Sequence, residues 1–346
     1  MTATITRLEH LVERVKERDF RAIGRAISVV EKGGADRDAL LEAIYPSARP
    51  ALKVGITGSP GSGKSSLVFR LVSEMRAHGY EVAVLAVDPT SPFTGGAILA
   101  DRVRIQDALR ASGSYMRSMA SRGSMGGLSR AVASSVHILE AAGYDLVFVE
   151  TVGSGQLEVD IRRVADSVVL VLVPESGDMV QGMKSGIIEI ADIYVINKAD
   201  REGAERMMSE LRAALELGET VPSWKPPIHL TEATTGKGIS ALAEAVLQHT
   251  RHLRETGELE ARRREQVRWE IETLLYEAIE QQISRRESGL FDAASLDRMT
   301  NRQDNPYRLL RKALSMGYSP VGRSPDESRG DAPIPLEGGT DETDNA

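Results

Sequence analysis

Cysteine is absent from the 346 residues. That excludes disulfides, thiolate metal sites and thiol nucleophiles together. Aromatic residues make up only 4%, so the core must be built from aliphatic side chains. No apolar run approaches the roughly 18 residues that would suggest a membrane span. The first twenty residues, MTATITRLEHLVERVKERDF, contain no apolar stretch of the kind an export signal needs. A cytoplasmic, membrane-free protein is the simplest expectation. The net charge of -7 is unevenly placed: from Pro320 to Ala346 seven acids face two arginines, which leaves the remainder close to neutral. A bulk basic footprint for nucleic acid is therefore missing.

Hydrophobic residues at 41% and charged residues at 27% are those of a folded globular chain. Residues 1–47 read as a helical extension. Leu8, Leu11, Val12 and Val15 recur at helical spacing, as do Phe20, Ile23, Ile27 and Val30. Gly33-Gly34 ends the second stripe, and a short third helix runs from Asp36 to Tyr45. From 48 to 255 the pattern changes to short apolar runs alternating with helical stretches: Leu52–Thr57, Glu81–Asp88, Asp145–Thr151, Ser167–Pro174, Asp192–Lys198 and Pro227–Ala233. Several runs are continuously apolar, as in strands covered on both faces. The repeated strand–helix–strand order predicts an α/β fold with a doubly wound, mainly parallel sheet. Residues 256–319 read as C-terminal helices, the first running from Gly257 to about Arg286 with a stripe of Val267, Ile271, Leu274, Leu275, Ala278 and Ile279. Asn305-Pro306 reads as an N-cap and first-turn proline, with Gly317 as a stop. Residues 320–346 have the composition of a disordered acidic tail.

Gly58-Ser59-Pro60-Gly61-Ser62-Gly63-Lys64-Ser65 matches G-x-x-x-x-G-K-[ST], between a predicted strand and a predicted helix opening at Ser66. Glycines let backbone N–H groups close on phosphate oxygens, and a helix N-terminus adds positive potential. Lys64 would reach the β- and γ-phosphates, and Ser65 would ligate Mg²⁺. Asn197-Lys198-Ala199-Asp200 follows at the end of a later strand. Guanine presents N1–H and an N2 amino group side by side, and one carboxylate, Asp200, can accept from both. Adenine offers an acceptor at N1 and would leave that carboxylate unpaired. Asn197 would hold the loop, Lys198 would lie along the base, and the N–H of Ala233 could meet the guanine oxygen. Glu150, ending a third strand before Gly153, is a candidate for Mg²⁺, and Gln156 for orienting water. Asp88 and Asp101 flank a long loop after the second strand and are candidate Mg²⁺ ligands or water-positioning acids. Arg117, Arg122 and Arg130 are solvated or partner-facing in this reading, with a γ-phosphate role as the alternative. His249 and His252 read as surface residues.

The stretches GITGSPGSGKSSL, AVDPTSPFTGGAILADRVRI, RSMASRGSMGGL, AAGYDLVFVETVGSGQLEVDI, SGDMVQGMKSGIIEIADIYVINKAD and GKGI span residues 55 to 239. Together they resemble the MeaB/ArgK group of GTPases, relatives of the human MMAA protein. That resemblance implies a P-loop GTPase fold and a G-protein chaperone for an adenosylcobalamin-dependent acyl-CoA mutase, chiefly methylmalonyl-CoA mutase. It implies GTP or GDP as ligand, Mg²⁺ as cofactor, and cobalamin only through the mutase. It places Asp88, Asp101 and Glu150 around the metal, and Asp178, Gln181 and Lys184 in a switch that answers to nucleotide and partner. It also implies a homodimer joined by the C-terminal helical arm. Two departures, Leu157-Glu158 and Glu175-Ser176-Gly177, stand where the family often has Ser-Glu and Gly-Ala-Gly. A metal-insertion GTPase is the first alternative, but it expects Cys- or His-rich segments, and this chain has no Cys and six His. A nucleotide-dependent kinase is the second, and no acceptor site is visible for it.

Overall fold

Side chains on a strand alternate between faces, so a strand with helices on both sides reads as a near-continuous apolar run. The computed structural model describes residues 2–89, 106–121, 127–151, 160–174, 188–216, 223–286, 293–308 and 311. Its elements in chain order are helices α1 (Thr2–Lys16), α2 (Phe20–Lys32) and α3 (Ala35–Ile44), then β1 (Leu52–Thr57), α4 (Lys64–Ala77), β2 (Val82–Pro89), β3 (Tyr115–Ser121), α5 (Gly127–Ala141) and β4 (Leu146–Thr151). They continue with β5 (Ser167–Leu172), β6 (Ile193–Asn197), α6 (Ala204–Glu216), β7 (Ile228–Thr231), α7 (Ile239–Thr256), α8 (Glu258–Arg286) and α9 (Ala293–Thr300). The strands form one seven-stranded sheet in the order β3-β2-β4-β1-β5-β6-β7. Every pairing among them is parallel.

The alternation sorts the core into layers. Val82, Val84 and Ala86 of β2, with Val54 and Ile56 of β1, pack against α4 and α7 through Leu67, Leu71, Leu242 and Val246. Ala83, Leu85 and Val87, with Val147 and Val149 of β4, face the other way, onto α2, α3 and α5 through Ile23, Ile27, Leu40 and Val136. The N-terminal helices are thus one wall of the sheet's core. Asp19 caps α2 by accepting from Arg21 N and Ala22 N, and Gly33 ends the helix with φ 73°.

Two readings of the sequence need correction. The six apolar runs leave out β3: its segment, YMRSMAS, carries polar residues between apolar ones because it is the sheet's edge and has one strand neighbour. It brings Arg117 to α2, where Nη2 donates to Glu31 Oε2 at 2.7 Å and Ser28 Oγ at 2.9 Å, so Arg117 ties strand to helix and is neither free in solvent nor at a phosphate. Arg122 and the side chain of Arg130 lie outside the described residues. His249 is fully buried, not superficial. Its Nδ1 lies 2.7 Å from Ser167 Oγ and its Nε2 3.4 Å from Asp192, and Trp224 packs its ring against both His249 and His252.

The N-terminal edge of the sheet holds a polar clamp. Asp192 accepts from Val168 N at 2.9 Å, from Arg262 Nη2 at 3.0 Å and from Arg162. Asp166 accepts from Lys53 N at 3.0 Å and Arg263 Nη2 at 2.8 Å. Both carboxylates are buried, where a charge persists only if paired and hydrogen-bonded. The arginine-rich first turns of α8 supply those partners. Two turns on, Glu270 meets His137 at 3.2 Å, and His137 also contacts Glu140. The chain divides into two compact units, Met1–Thr273 and Leu274–Ala346. In the second, Arg298 donates to Ser295 at 2.8 Å within α9, and Asn305 Oδ1 accepts from Tyr307 N at 2.8 Å, the expected cap. Gly317 and residues 320–346 lie outside the described residues.

Burial alone would push the His137 imidazole down, but its hydrogen bonds and charge interactions with Glu140 and Glu270 lift its pKa to about 9. A raised folded-state value stabilises the fold below the ordinary His pKa and is lost as pH climbs through 9. Urea unfolding should therefore show stability declining between about pH 6.5 and 9, by roughly 1–3 kcal/mol, and His137→Gln should flatten that slope. His249, pushed down to about 4 first by burial, acts at the other end, its contribution fading as pH falls from 6.5 toward 4.

Candidate functional site

The strand ends of β1, β4 and β6 meet at the C-terminal edge of the sheet, where sheets of this class bind ligands. The loop from β1 to α4 is forced by its glycines. Gly58 has φ 137°, and a Cβ there would stand 2.1 Å from Val171 O. Gly63 has φ 87°, and a Cβ there would stand 2.4 Å from Asn197 Nδ2. No other residue fits either place. The helix opens at Lys64, two residues earlier than expected, which puts the N–H groups of Lys64, Ser65 and Ser66 in its unpaired first turn.

Lys64 is buried and folded back on the loop: its Nζ donates to Gly58 O at 2.6 Å and Ser59 O at 2.7 Å. Beside it, Ser65 Oγ donates to Glu150 Oε1 at 2.5 Å. Glu150 is 1% exposed and sits in the strand register opposite Ile56, just before the glycine loop. The two residues put a hydroxyl and a carboxylate, both hard oxygen donors, at the mouth of the loop, and that donor set fits Mg²⁺. Thr151 Oγ1 donates to Thr57 Oγ1 at 3.0 Å and fastens β4 to β1 beneath it.

The second loop is stitched to the first. Asn197 Nδ2 donates to Ser62 O at 2.8 Å, while its Oδ1 accepts from Thr231 Oγ1 at 3.1 Å and Ala233 N at 3.2 Å. Lys198 has φ 57°, a conformation rare outside glycine. Its Nζ donates to Gly61 O at 2.8 Å. Ala199 N donates to Thr231 O at 3.0 Å, and Arg201 N to Lys198 O at 3.0 Å, which closes the turn that presents the exposed Asp200. Residues 134 positions apart, Lys64 and Lys198, thus border one crevice. One expectation is altered: the N–H of Ala233 goes to the Asn197 side chain, so Ala233 serves the loop's architecture here. A contribution that motif reading misses is Arg70, whose Nε donates to Ala233 O at 3.0 Å and Nη2 to Thr234 O at 2.6 Å, fixing the third loop to α4. Its place one turn after Ser66 is the available signal.

Asp88 is the last residue but one of β2, at the same edge, paired in register with Ala120; its side chain, and Asp101, Gln156, Asp178, Gln181 and Lys184, lie outside the described residues. Among the described residues no cluster of three or more metal-ligating His, Asp or Glu side chains occurs. None of their helices is long and apolar enough to cross a membrane.

Replacing Asn197 with Ala removes one donor and one acceptor from a buried site and leaves Ser62 O and Ala233 N without them. At about 1–3 kcal/mol for each buried group left unsatisfied, the ligand-free protein should lose at least ~2 kcal/mol in chemical denaturation. Unchanged stability would mean that the two loops are held together by other contacts.

Residues 23–288 match the family described as methylmalonyl Co-A mutase-associated GTPase MeaB. The chain is 46% identical over 303 residues to a putative GTPase of Pyrococcus horikoshii, covering 87% of this chain and 95% of that one. It is 35% identical over 272 residues to the GTPase ArgK of Escherichia coli, covering 76% and 82%. A crystal structure of a LAO/AO transport system kinase superimposes with a TM-score of 0.66 at 26% identity, over 90% of this chain and 98% of that one. With the phosphate loop and the guanine-type loop joined at one crevice, the chain belongs to the MeaB family of P-loop GTPases.

Proposed function

We propose that this GTPase is a Mg²⁺-dependent switch that serves as chaperone to an adenosylcobalamin-dependent acyl-CoA mutase, methylmalonyl-CoA mutase first among them. The observation that carries the nucleotide half is the pair of ties from Asn197 to Ser62 and from Lys198 to Gly61, because base and phosphate readers that share hydrogen bonds hold a nucleotide of one length. The partner half is supported by the family's own description. Cobalamin enters only through the mutase, whose loading and protection the switch would gate.

In this reading the glycine loop and helix N-terminus receive the phosphates. Lys64 exchanges its two loop carbonyls for β- and γ-phosphate oxygens, an exchange that costs little because both sets are hydrogen-bond acceptors. Ser65 and Glu150, with Asp88 and Asp101, would hold Mg²⁺, which supplies charge neutralisation on the phosphates. Asp101 and Gln156 would position the attacking water. The bond from water oxygen to the γ-phosphorus forms as the bridge to the β-phosphate breaks, and positioning accounts for most of the acceleration. Asp178, Gln181 and Lys184 would carry the nucleotide state to the mutase. Asp200 accepts from guanine N1–H and N2, with Lys198 along the base.

A homodimer through α8 belongs to the same proposal. Ile271, Leu275 and Ile279 on that helix are 53%, 57% and 45% exposed, an apolar stripe that a water-facing helix does not keep.

Calorimetry should show GDP binding at least 100-fold tighter than ADP. Asp200→Asn, whose amide offers a donor where xanthine carries a carbonyl, should weaken GDP and strengthen xanthosine diphosphate. Equal affinity for GDP and ADP would sink the guanine assignment. Purified mutase added to the GTP-loaded protein should raise phosphate release, and Lys64→Ala should abolish it; no change with any acyl-CoA mutase would remove the partner. For the dimer, Ile271→Glu with Leu275→Glu should halve the mass measured by light scattering while GDP affinity is kept.

A further inference from the structure

Away from the nucleotide crevice, α1 and α2 line a groove of about 740 Å³ to which α3 adds Asp36 and Leu40. Its floor is apolar, made by Leu8, Leu11, Ala22 and Val29. Its rim is cationic: Arg7 and Arg14 from α1, and Arg21, Arg25 and Lys32 from α2. Arg14 is occupied by Asp19. Among the described residues, Arg7, Arg21, Arg25 and Lys32 make no ion pair, and Asp36 is the only carboxylate that lines the groove.

Like charges along one groove repel, and among the described residues no ion pair offsets these four. Outside its acidic last 27 residues the chain is close to neutral, so four cations without an ion pair, set against the single carboxylate of Asp36, make this apolar trough locally positive. The core needs none of them, since the buried face of α2 is Ala22, Ile23, Ala26, Ile27 and Val30.

We propose that this groove docks an acidic amphipathic helix of a partner protein. Its apolar face would lie on Leu8, Leu11 and Val29, and its carboxylates would meet the arginines. The spacing decides for a helix over a compact anion. Arg21, Arg25 and Lys32 stand at i, i+4 and i+11 on α2, a stripe of about 16 Å at 1.5 Å per residue. A single phosphate group engages cations within about 4 Å and would leave most of that stripe unused. A helix laid along it presents acids at the same repeat, which is the helix-in-groove mode of recognition. Arginine in three of the four free positions suits forked pairing with carboxylates. The site is separate from the GTPase crevice, so its failure would leave that reading intact.

The test uses the full chain and a fluorescein-labelled synthetic peptide of 18 residues, with Leu on one helical face and Glu flanking it. Anisotropy should show saturable binding that weakens as ionic strength rises and the screening length falls below about 10 Å. Arg21→Glu with Arg25→Glu should weaken it at least tenfold with GDP affinity and melting temperature kept. The milder Arg25→Gln should give a smaller loss in the same direction, and serves if the double variant folds poorly. A scrambled peptide of the same composition should bind at least tenfold more weakly. Equal binding of the scrambled peptide, or of wild type and the charge-reversed protein, would overturn the proposal. So would full displacement by stoichiometric tripolyphosphate, which would mark a compact anion site. Tighter, arginine-dependent binding to phosphatidylserine vesicles would assign the groove to a membrane instead. Tighter binding of a synthetic peptide of residues 320–346 would assign it to this chain's own acidic terminus.

Discussion

Everything at the nucleotide crevice depends on one buried amide. Asn197 gives its Nδ2 to Ser62 O and takes Ala233 N and Thr231 Oγ1 on its Oδ1, so a single side chain sets the distance between three loops from three parts of the chain. A carboxylate in its place would have no hydrogen to give to Ser62 O, and an aliphatic residue would satisfy neither side. The close approach also explains Gly63: the amide occupies the space that any Cβ would need. Sequence spacing alone makes the phosphate loop and the guanine-type loop two independent motifs. The fold makes them one object.

Below the crevice, strand alternation keeps that object rigid. β2 and β4 are apolar at both faces because α4 and α7 cover one and α2, α3 and α5 the other, while β1 gives Val54 and Ile56 to the α4 and α7 side. The N-terminal helices, which the sequence presents as an extension, contribute Ile23, Ile27 and Leu40 to the same core as Leu85 and Val147. Burial of such side chains stabilises by about 1.5–3 kcal/mol each before entropy is subtracted, so this wall is part of what holds β2 and β4 in register.

Much of this is legible in the residues. The glycine loop, Glu150 at a strand end and Asn197-Lys198-Ala199-Asp200 each carry a local pattern, and the fold brings all three to one edge of the sheet. Six strands declare themselves by apolar runs. β3 does not, because an edge strand alternates Arg117 and Ser118 with Met116 and Met119, and such short mixed runs resemble loop. His249 escapes sequence reading for a different reason. Its partners Ser167, Asp192 and Trp224 lie 82, 57 and 25 positions away, and no local spacing announces a contact of that range. The same holds for Arg262 and Arg263, whose place beside Asp192 and Asp166 follows from the sheet's closure and not from the charge run they belong to.

That clamp bears on the order in which the chain matures. Asp166 and Asp192 are enclosed at the base of the sheet, yet the guanidinium groups that face them arrive 97 and 70 residues later. While the ribosome is still extending the polypeptide, the strands that bear these acids exist without their main counter-charges. Among the described residues, a nascent product halted near residue 255 would keep Arg162 beside Asp192 and Lys53 beside Asp166. The nucleotide-binding sheet therefore gains its full electrostatic balance only once the first turns of α8 have been synthesised.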